Sequence, residues 1–307
     1  MPATPRREPG DNHSVSTAPP AALATATRLA GPSATLDAVR PLPGGSHATT
    51  CLIRTATPRR EMILRVFPAG DPAAADEERA LTAIDTLGGL APRLLARGDE
   101  DGKTPSWVLI SRLPGTADII PDDPRHWAVQ LGHTLARIHA SDIDVATHLD
   151  TVFDRRGYRA RLFGPAARVV DEAWEKTITA APLVLTHGDY QSGNVIWRNG
   201  TLTGVIDWEG AARGPAGYDV GWCRFDLYLL YGRNLADVFL HAYEEAGGTT
   251  VGDPHLWDLW TLARSHETVE DWVPNYRDLG RPDLTATELR RRHTAWTHEL
   301  LQRRHAP

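Results

Sequence analysis

The sequence predicts an α+β fold of two lobes, an N-terminal antiparallel sheet with one helix and a mainly helical C-terminal lobe. Three observations predict it. Short apolar, β-branched runs separated by turns fill residues 36–111. From Asp123 onward, apolar residues recur at helical spacing. A single hairpin pattern interrupts that helical half, with Asn199-Gly200 between two apolar runs. The expected divisions are a disordered tail over 1–20, a first lobe over 21–113 and a second over 114–307.

Composition narrows the classes. A chain of 307 residues can bury a large core. Its 41% hydrophobic and 23% charged residues are those of a globular protein. A net charge of −6 and a pI near 6.1 argue against a nucleic-acid binder and mildly favour a cationic partner. No apolar run reaches the ~18 residues of a membrane span. Met1 to Pro20 lacks the apolar core of a secretory signal and reads as a disordered tail, so a cytoplasmic protein is expected. Cys51 and Cys223 are too few for a disulfide framework or a zinc site. Lysine occurs only at Lys103 and Lys176.

In chain order, Leu36–Leu42 and Thr49–Thr55 read as strands around Pro43-Gly44-Gly45-Ser46-His47. That glycine pair makes either a plain hairpin turn or a loop whose N–H groups approach a phosphate. Glu61–Phe67 is a third strand, apolar on both faces except at Arg65, a charge that needs a partner. Asp71–Leu87 is a helix with Asp71 as N-cap and Pro72 at the first position. Glu77, Leu81 and Ile84 share one helical face, which presents Glu77 toward Arg65, with Glu78 the alternative. Ala91–Arg97 and Trp107–Ser111 are further strands. Helices are expected over 123–141, 154–179 (broken), 218–230, 234–246, 253–272 and 286–304. His139 is expected to satisfy a helix C-terminus.

The densest chemistry lies between Leu183 and Trp208. Pro182–Leu185 is a short buried strand, and His187-Gly188-Asp189 leaves it with Gly188 allowing the turn. Asn194 follows five residues later. The hairpin then sets Asn194 and Asp207 at the same end of two neighbouring strands, about 5 Å apart. An amide and a carboxylate so placed suit Mg²⁺, which takes its remaining ligands from water and phosphates.

H-G-D-x-x-x-x-N followed by I-D-W resembles the aminoglycoside phosphotransferase and choline kinase-like family of small-molecule kinases. The resemblance implies a protein-kinase-like fold. It implies that Asp189 is the catalytic base and that Asn194 and Asp207 hold Mg²⁺ on the phosphates of ATP or GTP. It also implies a nucleotide site at Gly44, Gly45 and Ser46, with Ser111 and Leu113 at the hinge between lobes meeting the base. Asp219 would brace the catalytic loop, and His187 would make a loop hydrogen bond. The family places a lysine on the third strand. This chain has Arg65 there, which can also bind phosphate, with Arg54 second. Glu77 would pair with it.

The acceptor site is expected near Asp189. Trp257, Trp260, His266, Glu267, Glu270, Asp271, Trp272 and Tyr276 are candidates, and Glu209 is another. Glu267, Glu270 and Asp271 would face one way on a helix, where a cationic ligand relieves their repulsion, and the tryptophans add cation–π surface. The alternative is a solvated acidic face over core tryptophans. The reading is a small-molecule kinase acting on a hydroxyl of an amine-bearing natural product, in antibiotic resistance or self-protection. A choline- or homoserine-type metabolic kinase and a catalytically silent nucleotide binder are the alternatives. Only about ten residues separate Asp207 from Tyr218, too few for the activation segment of a protein kinase. No nucleic-acid or membrane partner is expected, and the oligomeric state is open.

Overall fold

The structure is a computed structural model, and it describes residues 18–42, 48–98, 105–141, 149–154, 161–249 and 251–305. Gly44, Gly45 and Ser46, Lys103 and residues 1–17 of the expected tail lie outside the described residues.

Five strands form one antiparallel sheet: β1 (Thr35–Pro41), β2 (Thr49–Ala56), β3 (Arg60–Val66), β4 (Leu94–Gly98) and β5 (Trp107–Ser111), ordered β1-β2-β3-β5-β4. Strand alternation divides the core in two. Ile53, Leu64, Val66, Trp107 and Leu109 turn to one face and pack on α1 (Pro20–Ala30). Phe67, Val108 and Ile110 join the other, larger core with α2 (Ala73–Ala83) and the helical half. Arg65, lying between Leu64 and Val66, therefore points to the α2 side.

Helix α1 is an addition to the expected single helix, and it begins inside the expected tail. Pro20 stands in the first turn, where a missing N–H is harmless. Ala22, Ala26 and Ala30 make its buried face. An alanine stripe carries little hydrophobic contrast, so the period is faint in the sequence. Helix α2 starts later than expected. Asp71 does act at its start, accepting the Ala73 N–H at 2.9 Å, and Asp85–Leu87 continues as a 3-10 turn.

The helical half holds β6 (Thr116–Ala117), α3 (Pro124–His139) and α4 (Ala167–Ala173), which runs into a π-helical turn at Trp174–Ile178. Then come β7 (Leu183–Thr186), β8 (Val195–Arg198), β9 (Thr201–Val205), β10 (Ala212–Pro215), α5 (Ala216–Tyr231), α6 (Arg233–Glu245), α7 (Pro254–Ser265), α8 (Val273–Arg277) and α9 (Ala286–His305). Strands β8 and β9 pair through Asn199 (φ 52°) and Gly200 (φ 72°), as a type I′ turn requires. Strand β6 extends this hairpin, and β7 pairs with β10. Helices α5 and α7 touch at backbone distance. A Cβ on Gly217 would meet the Trp257 ring at 2.2 Å, and one on Gly221 would meet the Trp257 carbonyl at 2.6 Å.

The expected helix over 253–272 is broken. Helix α7 ends at Ser265, and Val269–Trp272 is a separate 3-10 turn. Arg290 of α9 meets the end of the helix, donating to the His266 carbonyl at 2.6 Å. Among the described residues no helix is long and apolar enough to cross a membrane.

Candidate active site

Strand β7 delivers the chain into a loop over 187–194, and Gly188 makes the entry possible. Its φ is +88°, and a Cβ there would lie 2.2 Å from the Gly210 carbonyl oxygen. His187 is fully buried. Its Nδ1 accepts the Asp189 N–H at 3.2 Å, so Nε2 carries the proton and donates to the Ile206 carbonyl at 2.9 Å. This imidazole links the loop to the strand that leads to Asp207. Buried Asp219 of α5 accepts the backbone N–H groups of His187 and Gly188 at 2.6 and 2.9 Å. His139 does not serve only a helix end, as the sequence reading expected. It spans from the Asp219 carboxylate (3.2 Å) to the Tyr243 hydroxyl (2.9 Å).

Asp189 is half-buried and held at both oxygens. Its Oδ1 accepts Trp222 Nε1–H at 2.7 Å, and its Oδ2 accepts Asn194 Nδ2 at 2.9 Å and Gln191 Nε2 at 3.3 Å. Burial pushes this carboxyl up from the usual range, and Asp207 adds to the rise. The donated hydrogen bonds oppose both. Asn194 commits its amide nitrogen to Asp189, and its N–H also reaches the Asp189 carbonyl at 2.9 Å. Its side-chain oxygen is left as an acceptor. The Asn194 carbonyl takes the Ile206 N–H at 2.9 Å, which sets Asn194 beside the base of Asp207.

Asp207 adopts a left-handed conformation, φ +68°, ψ 56°. That costs on the order of 1 kcal/mol for a non-glycine residue and turns the side chain out of the strand register. Its Oδ1 lies 2.8 Å from Arg65 Nη2, yet that buried oxygen receives no hydrogen bond of proper geometry. Arg65 is 7% exposed and sits among three carboxylates. It donates from Nη1 to Glu77 Oε1 at 2.7 Å and from Nη2 to Glu209 Oε2 at 3.2 Å. Burial alone would depress the guanidinium pKa, but Asp207, Glu77 and Glu209 outweigh it and hold the group firmly charged. Burial pushes the Glu77 carboxyl up against the pull of Arg65. Glu78 instead bonds Arg97 at 2.7 Å, and Arg54 pairs with Glu61 at 3.0 Å, away from Asp207.

At the expected hinge, the Ser111 hydroxyl accepts the Arg93 N–H at 2.8 Å. The Leu113 side chain lies over Gly204 of β9, where a Cβ would come within 2.6 Å of it. The expected acceptor cluster divides. Trp257, Trp260 and Tyr276 are buried core. Glu267, Glu270 and Asp271 do not share a helical face, because the helix ends before them. Glu267 and Asp271 are exposed, and Glu270 bonds Arg290 from two oxygens at 2.5 Å each. Glu209 faces Arg65. Trp272 is half-buried and packs 5.4 Å from the Trp222 ring that bonds Asp189.

The sequence reading missed Trp222, Gln191 and Asp226. Asp226 accepts the Ser192 N–H and the Tyr276 hydroxyl, each at 2.9 Å. The signal available was polar residues at i, i+3 and i+7 (Asp219, Trp222, Asp226) on a largely buried helix that otherwise carries only one charge, Arg224.

The Asp207 carboxylate, whose Oδ1 pairs with Arg65, and the Asn194 amide oxygen are hard oxygen acceptors on adjoining chain segments. They suit a small divalent cation that brings further oxygen ligands with it. Among the described residues no group of three or more His, Cys, Asp or Glu could hold a metal ion.

No curated protein sequence matches this chain. Solved structures do. Macrolide 2'-phosphotransferase MphH from Brachybacterium faecium is 22% identical, with 91% of this chain and 97% of that one covered at a TM-score of 0.57. Choline kinase LicA from Streptococcus pneumoniae is 14% identical, covering 86% and 94% at 0.55. A thermostable aminoglycoside phosphotransferase APH(4)-Ia variant in ternary complex with AMP-PNP and hygromycin B is 18% identical, covering 86% and 94% at 0.55. These likenesses establish the protein-kinase-like fold. The family model described as phosphotransferase enzyme family matches residues 38–260, a span that runs from β1 through the Asp189 loop to α7. With that span taking in Arg65 and the loop that α5 holds, the chain belongs to the phosphotransferase enzyme family.

Proposed function

We propose that this protein transfers the γ-phosphoryl of ATP or GTP to a hydroxyl of a small-molecule acceptor. The observation that carries the reading is the Asp189 carboxylate, fixed by Trp222, Asn194 and Gln191 on a loop that Asp219 braces. Asp189 orients the acceptor hydroxyl and takes its proton as the phosphoryl leaves the nucleotide. Its raised pKa suits proton acceptance. Asn194 and Asp207 would hold Mg²⁺, which would supply charge neutralisation on the phosphates. Arg65 supplies a second positive charge in the lysine's place, with Glu77 fixing its direction. Ser111 and Leu113 line the approach to the base. The nucleotide lies between the two lobes, which we divide at residue 113. Catalysis is then mainly positioning and electrostatics.

For the acceptor, an amine-bearing natural product remains the first class to test, as in antibiotic resistance or self-protection. Relatives of this fold solved with hygromycin B, or named for macrolides, support that class. The acidic face no longer does, since Glu270 is neutralised by Arg290. A choline- or homoserine-like alcohol is the second reading, supported by the choline kinase likeness.

The test is ATP and GTP consumption with Mg²⁺ against aminoglycosides, macrolides, choline and homoserine, run beside Asp189→Asn. The expected result is acceptor-dependent turnover that falls by roughly 10²–10⁴-fold in the variant, with nucleotide affinity retained. A variant with near-wild-type turnover would overturn the role of Asp189. A protein that binds nucleotide but turns over nothing would favour a silent nucleotide binder.

A further inference from the structure

One stripe of α5 grips the whole loop. Asp219, Trp222 and Asp226 stand at i, i+3 and i+7, within one helical face. They meet, in the same order, the His187 and Gly188 N–H groups, the Asp189 carboxylate and the Ser192 N–H. The loop thus runs along about 10 Å of helix. The two acids hold backbone at either end. Trp222, in the middle, holds the functional side chain itself.

We propose that Trp222 is the positioning residue for the Asp189 carboxylate and borders the acceptor hydroxyl. The inference rests on the phosphotransfer reading above and assigns a role that reading leaves open. Its indole N–H is 2.7 Å from Asp189 Oδ1, short for a neutral donor and typical of a charged acceptor. The opposite oxygen is held by Asn194 and Gln191, so the carboxylate plane is fixed from both sides. A carboxylate attached through freely turning single bonds would otherwise sample several rotamers. The ring in turn is fixed by Trp272 at 5.4 Å and by Trp260 at 6.4 Å. Trp260 is fully buried in the core. Trp222 itself is only half-buried. An acceptor oxygen bonded to Asp189 at about 2.7 Å necessarily lies within a few ångströms of the indole edge. The ring takes one lone pair of Oδ1 while Asn194 and Gln191 occupy Oδ2, which leaves the second lone pair of Oδ1, beside the indole, for the incoming hydroxyl.

The experiment uses the full chain with Trp222→Phe, which keeps an aromatic ring and removes the N–H. The indole proton resonance of Trp222 is assigned in ¹⁵N-labelled protein by its loss in that variant. Asp189→Ala should move this resonance upfield, a change that ring packing alone would not produce. An unmoved resonance overturns the proposal whatever the activity. With Mg²⁺, ATP and the acceptor that gives wild-type turnover, Trp222→Phe should lose roughly 10- to 100-fold in kcat. KM for ATP should stay within about twofold, as for a group that acts through the base alone. Thermal unfolding and ATP binding of the variant show that it is folded. A folded variant with wild-type kcat overturns the positioning role while leaving the phosphotransfer reading intact. A wild-type protein that turns over no acceptor fails that reading first, and the proposal falls with it.

Discussion

The loop over 187–194 and the segment over 266–277 lie against the same helix, α5, and are held by different chemistry. The loop is fixed by buried polar groups: Asp219 and Asp226 on its backbone, Trp222 on its carboxylate. The segment is fixed mainly by rings and by charge at the surface. Trp272 packs 5.4 Å from Trp222 and 5.7 Å from Phe225, and half-exposed Glu270 pairs with Arg290. Tyr276, bonded to Asp226, is the polar link between the two. Buried polar contacts tolerate one geometry, because a misplaced partner leaves a desolvated group unpaired. Ring packing tolerates several. Under the phosphotransfer proposal, such a difference suits a loop that holds one geometry and a neighbour that varies with the acceptor.

The largest expected effect follows from the loop side. Asp219→Ala leaves the His187 and Gly188 N–H groups and the His139 ring without their buried acceptor. Each such group costs about 1–3 kcal/mol, so the variant should lose roughly 3–9 kcal/mol in denaturant unfolding. A loss under about 1 kcal/mol would show that the loop is not held in this way, and the contrast between the two regions would dissolve.

How legible each region was in the sequence follows the same division. The loop was readable because its chemistry demands fixed residue types at fixed offsets. Gly188 must take φ +88° under Gly210, Asn199-Gly200 must form a type I′ turn, and Asn194 and Asp207 then meet through Ile206. The segment was misread because its helical period continues across 253–272 while the structure breaks at Ser265. At the break, Arg290 bonds the His266 carbonyl and Glu270, from twenty residues beyond Glu270 and outside any local window. Helix α1 was missed for another reason, its face being made of alanine. The left-handed Asp207 and the third carboxylate on Arg65, Glu209, depend on tertiary packing that no spacing rule expresses.

An intermediate effect separates the regions by pH. His293 of α9 lies beneath the segment, 5.6 Å from Phe225 and 5.4 Å from His266, with Nε2 bonded to the Leu262 carbonyl. Burial pushes its pKa down to about 4. Arg290 and His266 add to the fall, while the Leu262 carbonyl and Glu270 oppose it. The folded state thus prefers neutral His293. Its contribution to stability is complete above the unfolded value near 6.5 and is lost as pH falls toward about 4. The loss should total about 3 kcal/mol at most. His293→Gln should unfold with a shallower pH dependence than wild type between those limits, measured by urea titration at several pH values. Identical slopes would remove His293 from the account and leave the segment without its pH-sensitive support.

The smallest effect is the most telling about the acceptor. Glu270 and Arg290 are 36% and 31% exposed at the side chain, and their short pairing holds the Glu270 carboxyl below its usual range, with the Arg290 hydrogen bonds as the main cause. Solvent screens such a pair, so Glu270→Gln should cost under about 1 kcal/mol in thermal unfolding. Its effect on turnover distinguishes two uses of the residue. If Glu270 only anchors the segment to α9, KM for a cationic acceptor stays within about twofold of wild type, because uncharged glutamine can still accept from Arg290. If an ammonium-bearing acceptor draws the carboxylate away from Arg290, KM should rise tenfold or more while kcat holds, and Arg290→Gln should lower it. The geometry favours the first outcome. Both Glu270 oxygens are already taken by one guanidinium, and a bidentate pair of this kind gives up its carboxylate less readily than a single contact.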